Sequence, residues 1–168
     1  MVHGHLAKKV DGGSESSAAP KKTSDKGQNL IREFEGLRLE SYLCPSNIWT
    51  IGYGSTGPDV VEGLHITQAV ANQMLVDDLK RFEKGILDQI DVELDQNQFD
   101  ALVSWAFNVG LGATADSTLR RRINWGEYIN TVISEELPKW VNGPNGPLPG
   151  LVRRRDAEVQ LATEGSFT

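Results

Sequence analysis

The sequence predicts an α+β fold dominated by helices, and three observations predict it. Apolar residues recur at helical spacing from about residue 24 to residue 164. One stretch, I-W-T-I-G-Y-G, carries β-branched and aromatic strand material broken by glycines. No internal repeat and no second strand-rich region accompany it.

The elements follow in chain order. Residues 1–23 have the Gly/Ser/Ala/Pro/Lys composition of a flexible polar tail and lack the apolar stretch of a secretory signal. Residues 24–168 form the folded domain. Ser24 caps a helix whose apolar positions Leu30, Ile31, Phe34 and Leu37 keep helical spacing, and Gly36 near its end places Glu35 in the last turn. Pro45, Ser46 and Asn47 make a turn, and the strand material beyond predicts a small hairpin or a three-stranded sheet. Thr67 opens a long helix with Leu75, Leu79, Phe82 and Ile86 on one face, suited to joining two lobes. In F-D-A-L-V-S-W-A-F-N-V-G, the residues Phe99, Leu102, Val103, Ala106 and Phe107 cover so broad a face that a buried central helix is expected, ended by Gly110 and Gly112. Further helices are expected at 117–124, 126–137 and 150–163. In the loop V-N-G-P-N-G-P-L-P-G, before the last of them, prolines and glycines forbid regular structure.

Composition narrows the function. At 168 residues the chain can bury one core without covalent staples, and its single Cys leaves no disulfide within a monomer, the expected state. A formal charge of −6 gives no basic field to draw nucleic acid or an anionic membrane. Apolar runs are far shorter than the ~18–20 residues that cross a bilayer, so no membrane anchor is expected.

The most informative spacing is Glu35, eight residues, Cys44, five residues, Thr50. A carboxyl ending an amphipathic helix, then a turn and a hairpin bearing a thiol and a hydroxyl, can surround one small volume with acid, base and water-orienting groups. Other motifs carry less. G-Y-G-S-T-G at 52–57 matches a dinucleotide fingerprint, with Asp77 at a suitable distance, but Pro58 and V-V-E-G follow where a helix must open. Cys44 and His65 make a conceivable nucleophile pair, though His65 stands just before a helix cap and lacks an evident Asn or Asp partner. His3 and His5 would meet a metal only incidentally, and no zinc or calcium spacing occurs elsewhere. The runs Arg120–Arg122 and Arg153–Arg155 read as solvated faces, or as a source of a partner for Glu35 or for substrate carboxylates. The four Trp are mostly core candidates, with Trp49 on the hairpin the exception.

F-E-G-L-R-L-E-S-Y-L-C-P with W-T-I-G-Y-G-S-T, then I-T-Q-A-V-A-N-Q-M-L-V-D-D-L, F-D-A-L-V-S-W-A-F-N-V-G and P-G-L-V-R-R-R-D-A-E, resemble the phage-type lysozymes, glycoside hydrolase family 24, over residues 24–164. The resemblance implies a lysozyme-like fold in which a small N-terminal lobe is joined by a long helix to a helical C-terminal lobe. It implies a muramidase that cuts the β-1,4 bond between N-acetylmuramic acid and N-acetylglucosamine in bacterial peptidoglycan, without cofactor or metal. Such an enzyme waits in the host cytoplasm until a holin-type membrane-permeabilising protein lets it reach the periplasmic wall. The family's catalytic pattern falls on Glu35, Cys44 and Thr50. Substrate contacts are implied at Thr56, Phe107 and Thr118, and Arg154 is implied as the partner of Glu35.

Two positions depart from many relatives: Ser55 stands where they carry His, and Cys44 where they carry Asp. An ordinary thiol is only a few per cent thiolate at neutral pH, whereas Asp is almost fully charged. Glu35 is then the general acid and Thr50 holds the attacking water. Cys44 either activates that water or attacks directly, giving inversion or retention respectively, and the sequence does not choose. Trp49 either packs under the sheet or faces a sugar. Two other readings are a peptidoglycan-binding module without catalysis, which has no need of the acid, and a Cys-dependent amidase or peptidase using Cys44 and His65.

Overall fold

The computed structural model describes residues 21–168. Helix α1 (Asp25–Glu35) begins where the Ser24 hydroxyl accepts a hydrogen bond from the Gly27 amide, and it ends at Gly36, whose φ of 73° turns the chain out of the helix. Its buried face, Gly27, Leu30 and Ile31, lies against α3 (Gln96–Val109). The approach is close enough that a Cβ on Gly27 would meet Asp100 Cγ at 2.7 Å.

Strands β1 (Arg38–Leu43) and β2 (Trp49–Gly52) form an antiparallel hairpin with Leu43 opposite Trp49 and Tyr42 opposite Thr50. Asn47, at φ 58°, turns the chain between them. The returning chain runs back along β1 through Ser41 N–H to Leu64 O (2.9 Å) and Ile66 N–H to Leu39 O (2.9 Å). Only an isolated bridge, Glu40 opposite His65, results, so the sheet stays two-stranded.

Helix α2 (Gln68–Gln89), capped by Thr67, buries Ala71, Leu75, Leu79, Phe82 and Ile86. Helix α3 opens on a reciprocal Asp95–Gln98 capping box and buries every residue from Gln98 to Ala106, as a central helix packed on α1, α2 and α7 must. Gly110 ends it at φ 91°, but Gly112 lies inside the short helix α4 (Leu111–Ala115). Helix α5 (Thr118–Trp125) closes on left-handed Gly126, which delays α6 (Ile129–Glu136) beyond the start expected at 126. A 3-10 turn, Leu137–Lys139, follows.

The loop expected to lack regular structure contains a minimal hairpin, β3 (Asn142–Gly143) with β4 (Gly146–Pro147). Pro144 and Asn145 occupy its turn, Gly146 takes φ 112°, and Leu148 folds over Gly143, where a Cβ would lie 2.7 Å from Leu148 Cδ1. Local turn chemistry thus organises residues whose composition argued for none. Helix α7 (Pro149–Glu164) starts on a proline, where a missing N–H costs nothing, and ends on Gly165.

The main core joins α2, α3, α5 and α6 to Ile31 and Tyr53, with Phe82–Phe107 and Trp105–Trp140 meeting edge to face at 5.2 and 5.4 Å. A smaller cluster sets Leu30 against Ala157 and Leu161 of α7. Of the tail expected over 1–23, residues 1–20, His3 and His5 among them, lie outside the described residues. Residues 21–23 belong to the packed domain. Lys21 Nζ donates to Leu94 O, Lys22 O accepts from Gln96 (2.8 Å), and buried Thr23 donates its amide to Glu83 Oε2 at 2.9 Å.

Candidate active site

Glu35 is the last residue of α1, and the turn at Gly36 sets its side chain at the junction of two hollows. One, of about 490 Å³, lies between the hairpin and α2 and is walled by Gly54, Thr56, Asp77, Asp78, Arg81 and Phe107. The other, of about 620 Å³, lies towards α7 and is walled by Phe34, Leu148, Gly150, Arg153 and Arg154. Glu35 and Asn108 border both, so the two hollows make one cleft with the carboxyl at its middle.

One oxygen of Glu35 is tied and the other is open. Oε1 accepts from Arg154 Nη1 at 2.6 Å, while Oε2 lies 3.9 Å from where a Cβ on Gly54 would sit. Gly54, at φ 98°, holds a backbone conformation that favours glycine and leaves that approach clear.

Arg154 is itself almost fully buried. Its Nη2 donates to the Ser104 carbonyl at 3.1 Å, its Nε to Glu158 Oε1 at 3.3 Å, and Ser104 Oγ donates to the same Oε1 at 2.8 Å. Every edge of the guanidinium is therefore held, and its direction towards Glu35 is set by α3 and α7 rather than by the cleft. Arg155 completes the cluster, 3.2 Å from Glu158 Oε2 without hydrogen-bond alignment and donating to Asn108 Oδ1 on the cleft wall. Burial pushes the Glu158 carboxyl up and the Arg155 guanidinium down, each opposed by the other's charge.

On the hairpin, Thr50 is buried and donates to Ile48 O at 2.9 Å. Cys44 is half-buried; backbone hydrogen bonds from Ile48 and Ser46, helped by the Thr50 hydroxyl, hold its thiol below the ordinary thiol range. The two residues are thus brought together, but neither borders the hollows that Glu35 occupies. Thr56 and Phe107 border the first hollow and Arg154 the second. Thr118 lies outside both, exposed at the start of α5, where its hydroxyl accepts from Arg121 at 2.9 Å. Trp49 is half-buried beside Leu43.

The sequence does not single out Asp78 and Arg81 as cleft residues, Asn108 enters it only as the neighbour of Phe107, and Asp77 only within the rejected dinucleotide motif. Asp77, Asp78 and Arg81 share one face of α2, a signal that charge on a long helix hides, since such residues usually face solvent. Ser55, where many relatives carry His, donates to Asp78 Oδ2 at 2.5 Å and ties the hairpin turn to α2. Lys80 lowers the Asp77 carboxyl pKa through a 2.9 Å hydrogen bond. The glycines of G-Y-G-S-T-G bend a turn, with Gly52, Gly54 and Gly57 all at positive φ, and no helix opens there. His65 faces Glu40 at 3.5 Å and Gly63 O at 3.0 Å, on its own strand pair, and no histidine is among the groups that shift Cys44. Among the described residues, no group of three or more His, Cys, Asp or Glu is placed to hold a metal ion.

The profile of the family described as phage lysozyme matches residues 32–158. The chain is 44% identical over 142 residues to an endolysin of Acyrthosiphon pisum secondary endosymbiont phage 1, covering 82% of this chain and 95% of that one. It is 41% identical over 145 residues to an endolysin of Bacillus phage PZA, covering 85% of this chain but only 55% of that protein. Among solved structures, the muramidase domain of SpmX from Asticaccaulis excentricus superposes with a TM-score of 0.78 at 37% identity, over 84% of this chain and 97% of that domain.

Proposed function

The chain belongs to the phage lysozyme family, and from that premise we propose that it is a phage endolysin that hydrolyses the β-1,4 bond between N-acetylmuramic acid and N-acetylglucosamine in peptidoglycan. The observation that carries this reading is the asymmetry of Glu35: one oxygen is anchored on buried Arg154, and the other faces open cleft.

In this reading the free oxygen of Glu35 delivers a proton to the leaving glycosidic oxygen while positive charge grows on the sugar. Asp77 and Asp78 on the opposite wall supply negative potential near that charge. Thr50 orients a water and Cys44, its thiol biased towards thiolate, activates it or stabilises the sugar's far face. In this reading the bound sugar lies between the Glu35 carboxyl and the hairpin that carries Cys44 and Thr50. Thr56, Phe107 and Arg154 border the bound strand, and the protein acts as a monomer. It reaches the wall from the host cytoplasm only after a holin-type protein has breached the membrane; no helix among the described residues is long and apolar enough to cross one.

The test is mass spectrometry of digested sacculi. New reducing ends on N-acetylmuramic acid are expected, and Glu35→Gln should fold normally while losing about 10²- to 10⁴-fold in rate. New free amines without reducing ends would assign the enzyme to the amidases instead. Expression in a host with an intact membrane should leave growth unaffected, and spontaneous lysis would contradict the need for a partner.

A further inference from the structure

Away from the cleft, at the end of α5, lies a hollow of about 340 Å³ bordered by Arg120, Arg121, Asn124 and Trp125. It shares no residue with the two hollows around Glu35. Trp125 is 88% exposed and Tyr128, just beyond Gly126, is 72% exposed, the two most exposed large hydrophobic side chains among the described residues. Of the four Trp, Trp105 is fully buried and Trp49 and Trp140 are half-buried, so an indole left almost wholly in water calls for a partner.

The polar half of this hollow is built. Arg120 donates Nε to Gln89 O at 3.0 Å and Nη1 to Ala115 O at 3.1 Å. Arg121 donates Nη1 to Asp116 O at 2.8 Å and Nη2 to Thr118 Oγ1 at 2.9 Å. Asn124 is held by Gln89 O and by the Asp91 amide, both at 2.8 Å. These partners are neutral oxygens or amides, and among the described residues no carboxylate lies within 4.0 Å of either guanidinium. The neighbouring Arg122, in contrast, is saturated by Glu127, Glu135 and Glu136. Two oriented guanidiniums without an ion-pair partner thus stand beside an exposed ring.

We propose that this hollow is a second peptidoglycan-binding site, in which Trp125 stacks on the face of a sugar ring and Arg120 and Arg121 receive carboxylates of the peptides attached to the strand. A pyranose presents an apolar C–H face to an indole, and a guanidinium whose geometry is already set loses little freedom on meeting a carboxylate. The hollow has the volume of a small saccharide, whereas a membrane surface calls for an amphipathic helix and a larger cluster of cations. Its effect is to keep the enzyme on the polymer between cuts, raising the effective concentration of glycan at the cleft. The inference rests on the substrate class proposed above.

The experiment separates binding from cleavage. In the inactive Glu35→Gln background, co-sedimentation with purified sacculi measures affinity for the wall whether or not that wall is a substrate. Trp125→Ala and Arg121→Gln each change an exposed side chain, and each should weaken binding at least about five-fold, as loss of one aromatic contact or one charge-assisted hydrogen bond does. Trp125→Phe should recover part of the affinity. On glycan strands stripped of peptide, the Trp125 effect should persist and the Arg121 effect should vanish. With Glu35 intact, Trp125→Ala should raise KM on sacculi and leave turnover of a soluble tetrasaccharide unchanged. Unchanged affinity for sacculi would overturn the proposal, as would equal loss on the tetrasaccharide. Trp125-dependent binding to phosphatidylglycerol vesicles in place of sacculi would overturn it in favour of a membrane surface. Failure to detect glycan cleavage alone would strike the proposed activity and leave the sedimentation result standing.

Discussion

Replacing Gly27 with Ala sets two quantified effects against each other, and the structure says which prevails. In an isolated helix the change is favourable by about 1 kcal/mol. Here the new Cβ would lie 2.7 Å from Asp100 Cγ and 2.7 Å from Thr23 Cγ2, where carbon atoms at rest sit ~3.5–4.0 Å apart. Neither neighbour can retreat easily. Asp100 is fully buried and accepts from the Ser24 amide at 2.9 Å and from the Ser24 hydroxyl, while Thr23 is pinned to Glu83. Overpacking of this kind costs about 1–3 kcal/mol, and displacing the Ser24–Asp100 contact adds about 1 kcal/mol. The net expectation is destabilisation of about 1–3 kcal/mol, or a fall in Tm of about 2–10 °C for a domain of this size.

Function should suffer beyond stability, because α1 is a lever. Gly27 sits eight residues before Glu35, about 12 Å along the axis, and relief of the clash tilts the helix off α3. Arg154, held by α3 and α7, does not follow, and a displacement approaching 1 Å in such a pair costs up to about 10² in rate. The assay is differential scanning calorimetry together with initial rates on sacculi. Asn29→Ala serves as control, since at that exposed position the gain in propensity is set only against the loss of one exposed 2.7 Å hydrogen bond from Arg32. A Gly27→Ala protein as stable as the control and fully active would refute the argument that contact with Asp100 sets the position of α1.

Three further outcomes are expected. Cys44→Asp should retain activity and Cys44→Ala should lose most of it; because hydrogen bonds hold the thiol below its ordinary range, alkylation should speed up with rising pH around a midpoint below that of a free thiol, and an ordinary or higher midpoint would contradict the thiolate role. Arg154→Lys keeps the charge but cannot reach Glu35, Glu158 and Ser104 at once, so it should cost about 1–3 kcal/mol and at least about ten-fold in kcat, read by thermal melts and sacculus turnover. Deleting residues 1–20 should leave Tm unchanged, whereas deleting 1–23 removes the bonds of buried Thr23 to Glu83 and should lower it by about 2–6 °C; equal melting of the two truncations would return the domain boundary to residue 24.

What the sequence determined by itself is what neighbouring residues decide among themselves. Ser24 and Thr67 cap helices because a hydroxyl satisfies an amide three residues on, and Gly36 and Gly110 end helices because only glycine readily takes their φ. The apolar spacing of α3 announced a central helix, and the short hairpin stretch of chain brings Thr50 beside Cys44. Tertiary structure decided whatever depends on partners far along the chain. Arg154 reaches Glu35 across 119 positions, and residue type alone does not separate it from Arg153, which borders the cleft, or from Arg155, which is buried. The Arg120–Arg122 run divides the same way, one member neutralised by three glutamates and two held on neutral oxygens. Lys21–Thr23 read as tail by composition, yet Thr23 is captured by Glu83 from α2, and nothing in the chain near Asp77 and Asp78 marked them out until the hairpin turn, tied by Ser55, made their face of α2 a cleft wall. A charged side chain has the same propensity on a solvated face as in a cleft or a core, so its role is set by the desolvation and the counter-charges that packing brings to it.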